Sequence, residues 1–285
     1  MTAPVGFAKA HGLGNDFILI DERHCPREAS PWARRLCDRH VGVGGDGVLV
    51  YRVKKDAGAV GMRLINADGT DAEISGNGVR CLAAFAVRKG WMPPRHVVDT
   101  AAGAREVEVT ALGDSRFRVG TDLGPAILES RKIPVALDPP AASVVDHPLQ
   151  AAGRRWSVTA TSLGNPHCAV FLEAVADDAT IAAVGPALET HPFFPRKTNV
   201  EFVTVAARDA LRVRFWERGV GPTRASGTGA ASAAVASILK GLTGRRVMVE
   251  CDGGTLEVEW PEGGTVRQVG EVEVLFEGEW LGPPS

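Results

Sequence analysis

The sequence carries one short phrase twice. Ser75-Gly76-Asn77-Gly78 and Ser226-Gly227-Thr228-Gly229 each open an Ala-rich stretch, Val79–Arg88 and Ala230–Leu239. Each also follows a polar residue that closes a strand-like run, Asn66 in one case and Glu217 in the other. Gly-x-Gly at the start of a helix leaves several backbone N–H groups without an intrahelical acceptor. The helix dipole adds about half a positive charge at the same place, so Gly76, Asn77, Gly227 and Thr228 suit a carboxylate or a phosphate. Ser75 and Ser226 fit as helix N-caps. His167 adds a group that titrates near neutral pH. The five cysteines are scattered without a CxxC pair, and no His/Cys/carboxylate cluster has metal-ligand spacing. Neither a disulfide framework nor a metal or organic cofactor is expected.

The elements that must hold these residues are mostly strands. Short β-branched runs recur at Phe17–Asp21, Val48–Val53, Met62–Asn66, Val97–Thr100, Glu106–Ala111, Arg116–Thr121, Trp156–Ser162, Ala169–Leu172, Val200–Ala206, Leu211–Glu217, Arg246–Glu250, Thr255–Trp260 and Val272–Phe276. Helices are predicted only near 31–40, 76–89, 174–188 and 227–241, which gives an α+β chain with antiparallel or mixed sheet wrapped round few helices. Shifting the chain on itself by about 150 residues aligns its halves. Leu13-Gly14-Asn15 falls on Leu163-Gly164-Asn165, Arg63–Asn66 on Arg214–Glu217, and Ser75–Gly78 on Ser226–Gly229. The pattern predicts an internal duplication into two like domains that face each other, 1–122 plus 271–285 and 123–270.

With 285 residues, 45% apolar and 23% charged, the chain has the profile of a soluble globular protein. Its 32 basic and 34 acidic residues leave a formal charge of −2, which gives no reason to expect a nucleic acid or a membrane surface as partner. No basic-then-apolar leader opens the sequence, and the odd, scattered cysteines fit a reducing cytoplasm.

Several motifs together resemble the diaminopimelate epimerase family. They are His11-Gly12-Leu13-Gly14-Asn15-Asp16-Phe17, Asn66-Ala67-Asp68-Gly69, Gly76-Asn77-Gly78-Val79-Arg80-Cys81, Gly164-Asn165-Pro166-His167, Thr198-Asn199-Val200-Glu201-Phe202 and Glu217-Arg218-Gly219 with Gly227-Thr228-Gly229. They occur in order over essentially the whole chain. The resemblance implies two pseudo-symmetric α+β domains, each a mostly antiparallel or mixed β-sheet round a central helix, with an amino-acid substrate between them. It implies cofactor-independent interconversion of L,L- and meso-diaminopimelate for lysine and peptidoglycan synthesis, by two-base proton transfer at Cα, in a homodimer. Asn15, Asn66, Asn165 and Asn199 resemble substrate-contacting amides. Glu217 and Arg218 resemble the pair that holds the distal amino-acid head, and the N–H groups of Gly76, Asn77, Gly227 and Thr228 would cradle the reacting carboxylate.

One departure bears on the chemistry. The family's two proton-transferring groups are cysteines, and the matching positions here are Ser75 and Ser226. An unassisted hydroxyl is a far weaker base than a thiolate at neutral pH. Cys81, among Leu82, Ala83 and Ala84, reads as core. Three readings stay open: a cysteine-to-serine form of an ordinary epimerase, a member working through other bases, or an amino-acid-binding member without turnover. In the second, phenazine-biosynthesis-type chemistry would fall to His167 with Glu217 or Asp68. His11 is expected to order its Gly-rich loop. Gly47, after Gly44-Gly45-Asp46, lacks the polar side chain the resemblance leads one to expect.

Overall fold

The computed structural model describes residues 4–72 and 74–282. The chain divides into two compact units. One runs to Asp122 and resumes at Val269, and the other is the continuous segment Leu123–Gln268.

The first unit contains β1 (Val5–Gly12), β2 (Asn15–Asp21), α1 (Ala29–Cys37), β3 (Gly47–Lys54), β4 (Ala59–Asn66), β5 (Asp71–Ala72), α2 (Gly76–Arg88), β6 (Arg95–Thr100), β7 (Gly103–Ala111) and β8 (Arg116–Asp122). The second contains β9 (Val144–Ala151), β10 (Arg154–Ser162), β11 (Pro166–Phe171), α3 (Asp178–Glu189), β12 (Asn199–Ala207), β13 (Ala210–Glu217), β14 (Gly221–Thr223), α4 (Gly227–Leu239), β15 (Arg246–Cys251) and β16 (Gly254–Glu259). The last strand, β17 (Arg267–Trp280), pairs antiparallel with β1 and also pairs with β8.

The duplication read from the sequence is present in the strand pairing. In the first unit β1 and β2 form a hairpin, β2 runs parallel to β3, β3 antiparallel to β4, β4 parallel to β6, and β6 antiparallel to β7. The second unit repeats this with β10, β11, β12, β13, β15 and β16. Registers recur too: Phe17 faces Gly47 where His167 faces Asn199, and Ala59 faces Val97 where Ala210 faces Met248. Parallel neighbours need a crossover, and the four helices supply one each.

Within each unit one helix lies inside. α2 is buried from Gly76 through Ala86, and α4 is buried over most of its length. Each is touched by strands on several sides. A helix that is apolar or small-residued all round belongs in an interior, and α4 is mostly Ala, Gly and Ser. The second glycine of each Gly-x-Gly is required for this fit. A Cβ on Gly78 would lie 3.1 Å from Leu49 Cδ2, and one on Gly229 would lie 3.0 Å from Phe215 Cδ1. α1 instead buries one face, with Trp32, Ala33 and Leu36 against β3 and β4.

The expected strand runs all fall in observed strands, with shifted ends. The α3 helix starts at Asp178, later than expected, because the Asp177 side chain accepts from Thr180 N (2.8 Å) and caps it there. Four strands lie outside the expected runs: β1, β5, β9 and β14. In β1 Gly6, Ala8 and Ala10 stand where branched residues usually mark a strand, and β9 contains Pro148 and the left-handed Asp146 (φ 54°). Among the described residues no helix is long and apolar enough to cross a membrane.

Candidate active site

In the first unit the β1–β2 hairpin turns at Leu13 and Gly14, both left-handed (φ 57° and 82°). That conformation suits a two-residue hairpin turn, and it is strained at leucine. His11 Nδ1 accepts from Gly14 N (3.4 Å) across the turn, which is the loop-ordering role expected of it. The turn delivers Asn15 to the start of β2. Its Nδ2 donates to Asp46 Oδ2 (2.8 Å), and its Oδ1 accepts from Asn77 Nδ2 (3.2 Å) in the first turn of α2.

Behind Asn15 lies a charged cluster. Arg39 donates to both oxygens of Asp16 (2.6 and 3.0 Å) and to Asp46 (2.8 Å), and buried Lys9 pairs with Asp16 (2.6 Å). Burial alone would raise the Asp16 carboxyl, but hydrogen bonds from Arg39 and Lys9 hold it well below the usual carboxylate range. Ser75 is extended (φ −131°), and its Oγ accepts from Gly78 N (3.1 Å), an N-cap. Asn66, nine residues earlier, closes β4, and its Nδ2 donates to Thr70 Oγ1 (3.0 Å). In that same loop Asp68 is exposed and accepts from Thr70 N (2.9 Å) and Thr70 Oγ1 (2.6 Å), bonds that lower its pKa. Gly47 has no room for a side chain: a Cβ would sit 2.9 Å from Ile65 O.

The second unit repeats the cap with an addition. Ser226 Oγ accepts from Gly229 N (3.3 Å), and its hydroxyl donates to Glu217 Oε2 (3.2 Å). Burial pushes the Glu217 carboxyl above its ordinary pKa, towards the range of a working acid or base. His167, 1% exposed, contacts Glu201 Oε1 through Nδ1 (2.7 Å) and Asn165 Oδ1 through Nε2 (2.9 Å). Asn165 Nδ2 in turn donates to Thr228 Oγ1 (3.4 Å). Because Asn165 presents its oxygen, Nε2 carries a hydrogen. The Nδ1 contact then holds one shared proton, on Glu201 or on the ring, and burial of Glu201 raises its carboxyl accordingly.

Both His167 nitrogens are therefore engaged inside the unit. This is the geometry of a residue that orients Asn165, and it leaves no lone pair for a substrate proton. Asn199 is likewise engaged: Nδ2 donates to Pro166 O (3.0 Å) and Oδ1 accepts from Arg218 N (3.0 Å). It shapes the Glu217–Gly221 turn. Arg218 itself is exposed, with Nη1 donating to Arg196 O (3.2 Å). Cys81 is fully buried and its thiol is pushed up to about 12 by burial, so it supplies no thiolate.

Three carboxylates stand behind these groups without having been singled out as functional in the sequence. Asp46 holds Asn15, and Glu201 holds His167. Glu189, 6% exposed at the end of α3, accepts from Gly219 N (3.0 Å) and Trp216 Nε1 (2.7 Å). Glu201 did leave a signal, an acid inside the apolar run Val200–Val203. So did Glu189, an acid at a helix C-terminus where the dipole disfavours it.

The duplicated α+β scaffold with an interior Gly-x-Gly helix in each half has counterparts among solved structures. A solved structure of a hydroxyproline epimerase from Agrobacterium vitis shares the fold, with TM-score 0.68 and 14% identity over 98% of this chain and 91% of that one. The model of the family described as diaminopimelate epimerase matches residues 7–128 and 159–275. Relatives named diaminopimelate epimerase are 46% identical in Desulforudis audaxviator and 43% in Pelotomaculum thermopropionicum. Each alignment spans 279 residues, covering 96% of this chain and 99% and 98% of those proteins. The chain belongs to the diaminopimelate epimerase family and is an isomerase of the epimerase type.

Proposed function

We propose that this protein acts on diaminopimelate at Cα, in lysine and peptidoglycan precursor synthesis, with Ser75 and Ser226 at the two proton-transferring positions and an activity altered by the absence of thiols there. The observation that carries the proposal is the Ser226–Glu217 hydrogen bond at the amino end of α4. A serine alone cannot hold a Cα proton, but a serine backed by a partly buried carboxylate can pass it on. Ser226 Oγ takes the proton from Cα while its own proton goes to Glu217, and the electron pair left at Cα is stabilised through the substrate carboxylate by the N–H groups of Gly76, Asn77, Gly227 and Thr228. Among the described residues Ser75 has no such carboxylate, so it would have to return a proton to the other face and become an alkoxide. Proton abstraction therefore runs ahead of inversion. Asn15, Asn66 and Asn165 serve as substrate amides, Arg218 holds the distal carboxylate, and His167 and Asn199 act as positioning residues. No metal or organic cofactor enters this reaction, and the working form is a homodimer.

The test is incubation with L,L- and meso-diaminopimelate in deuterated water, followed by mass and isomer ratio. Slow label uptake with slower inversion is expected. Measurable binding with no label would instead make the chain a binder. Light scattering that gives twice the single-chain mass checks the dimer. A phenazine-type mechanism finds less support: Asp68 is exposed with a lowered pKa, and His167 has no free ring nitrogen.

A further inference from the structure

In the first unit four side chains are joined by hydrogen bonds that all run one way. Arg80 Nη2 donates to Asn77 Oδ1, Asn77 Nδ2 donates to Asn15 Oδ1 (3.2 Å), and Asn15 Nδ2 donates to Asp46 Oδ2 (2.8 Å). The ends set the direction. A guanidinium only donates and an ionised carboxylate only accepts, so neither amide between them can turn over without setting donor against donor or acceptor against acceptor. Arg80 is fully buried and Asn77 nearly so, and a mismatch there would have no water to relieve it. The Asp46 oxygen that takes Asn15, Oδ2, is held by the Asp16 N–H (3.1 Å), whereas Arg39 Nη2 donates to the other oxygen, Oδ1 (2.8 Å).

Resting on the amino-acid substrate proposed above, we infer that Asp46 is a positioning residue. It forces Asn15 to turn its amide oxygen towards the start of α2 and leaves one N–H and one oxygen lone pair of that amide in fixed places for the ligand. The second unit sets the matching amide the other way round. His167 holds the Asn165 oxygen, and the Asn165 N–H is turned towards Thr228 at the start of α4. Corresponding asparagines thus turn opposite atoms towards the helix ends of their own units.

Asp46→Asn keeps the shape of the side chain and removes its acceptor-only character. Arg39→Gln removes a charge from the same cluster and keeps the Asp46–Asn15 contact, so it is the control. With meso-diaminopimelate as titrant in calorimetry on the full-length protein, Asp46→Asn is expected to weaken binding about tenfold, one hydrogen bond's worth. Arg39→Gln is expected to change it by about twofold or less, in line with an exposed ion pair. Equal effects of the two variants, or no effect of Asp46→Asn, would overturn the assignment. A ligand-free measurement separates this outcome from failure of the functional proposal. The Asn15 side-chain amide protons should exchange with water more slowly than those of exposed asparagines, and Asp46→Asn should remove that protection. If the wild type binds no diaminopimelate, the substrate proposal fails and the amide signals alone decide Asp46: unchanged protection in Asp46→Asn refutes it, and lost protection upholds it.

Discussion

Ser226 and Ser75 occupy the same place in two copies of one fold, yet among the described residues only Ser226 has a carboxylate partner. Both are extended N-caps that accept from the second glycine of their Gly-x-Gly. Ser226 is buried and leans on Glu217, whereas the residue in Glu217's position in the first unit is Asn66, whose amide is turned to Thr70. Among the described residues no carboxylate contacts Ser75. Duplication has thus preserved the backbone cradle in both halves while the groups able to store a proton have diverged. A helix start needs only a glycine and a cap to bind an anion. A base needs a partner that sets its pKa, and such a partner can be lost from one copy alone.

Restoring thiols should erase most of this difference. The double variant Ser75→Cys with Ser226→Cys is expected to speed epimerisation by about 10²–10⁴-fold, the usual worth of a well-matched acid–base group. Chiral analysis of the product checks it, and either single variant should give label uptake with little inversion. Removing the second unit's advantage comes next in size. Glu217→Gln should cut label uptake about a hundredfold. Its stability effect has a definite sign. The folded pKa of Glu217 is raised by burial, so the stability it contributes is present below the ordinary glutamate value and is lost as pH rises through the folded value. The melting temperature of Glu217→Gln relative to wild type should therefore rise between pH 4 and pH 8, and a flat difference would contradict the burial argument.

Packing gives a smaller contrast. Gly229→Ala meets both the Phe215 ring and Ser226 Cβ at 3.0 Å and should cost about 1–3 kcal/mol in denaturant unfolding. Gly78→Ala meets only the tip of the Leu49 side chain at 3.1 Å, with Ser75 Cβ at 3.3 Å, and should cost less. Smallest is Ser75→Ala, which loses a cap worth about 1 kcal/mol and should leave label uptake nearly unchanged, whereas Ser226→Ala should abolish uptake.

The fold was legible because its signals are local. Branched runs mark most strands, Gly-x-Gly marks the inner helices, and the repeat ties them together. β1, β5, β9 and β14 escaped because pairing with neighbouring strands, rather than their own residues, makes them strands. At the candidate site the helix caps Ser75 and Ser226 were legible from residue type. The site was not legible where function depends on which way a side chain is turned. Nothing in the order of residues tells that Asn199 spends its amide on Pro166 and Arg218, that both nitrogens of His167 are occupied, or that Asp46 and Glu189 hold other residues in place. Those facts arise from pairs far apart in the chain.

The strand β17 gives the two halves different histories during synthesis. Leu123–Gln268 is one uninterrupted stretch, and all of it has been synthesised by the second residue of β17. The first unit waits for its last strand, because β1 and β8 keep unpaired edges until residues near Val272–Trp280 arrive to bond with them. The half translated first is therefore the half completed last. During that interval the exposed edges are where a stalled or shortened chain would associate with its neighbours.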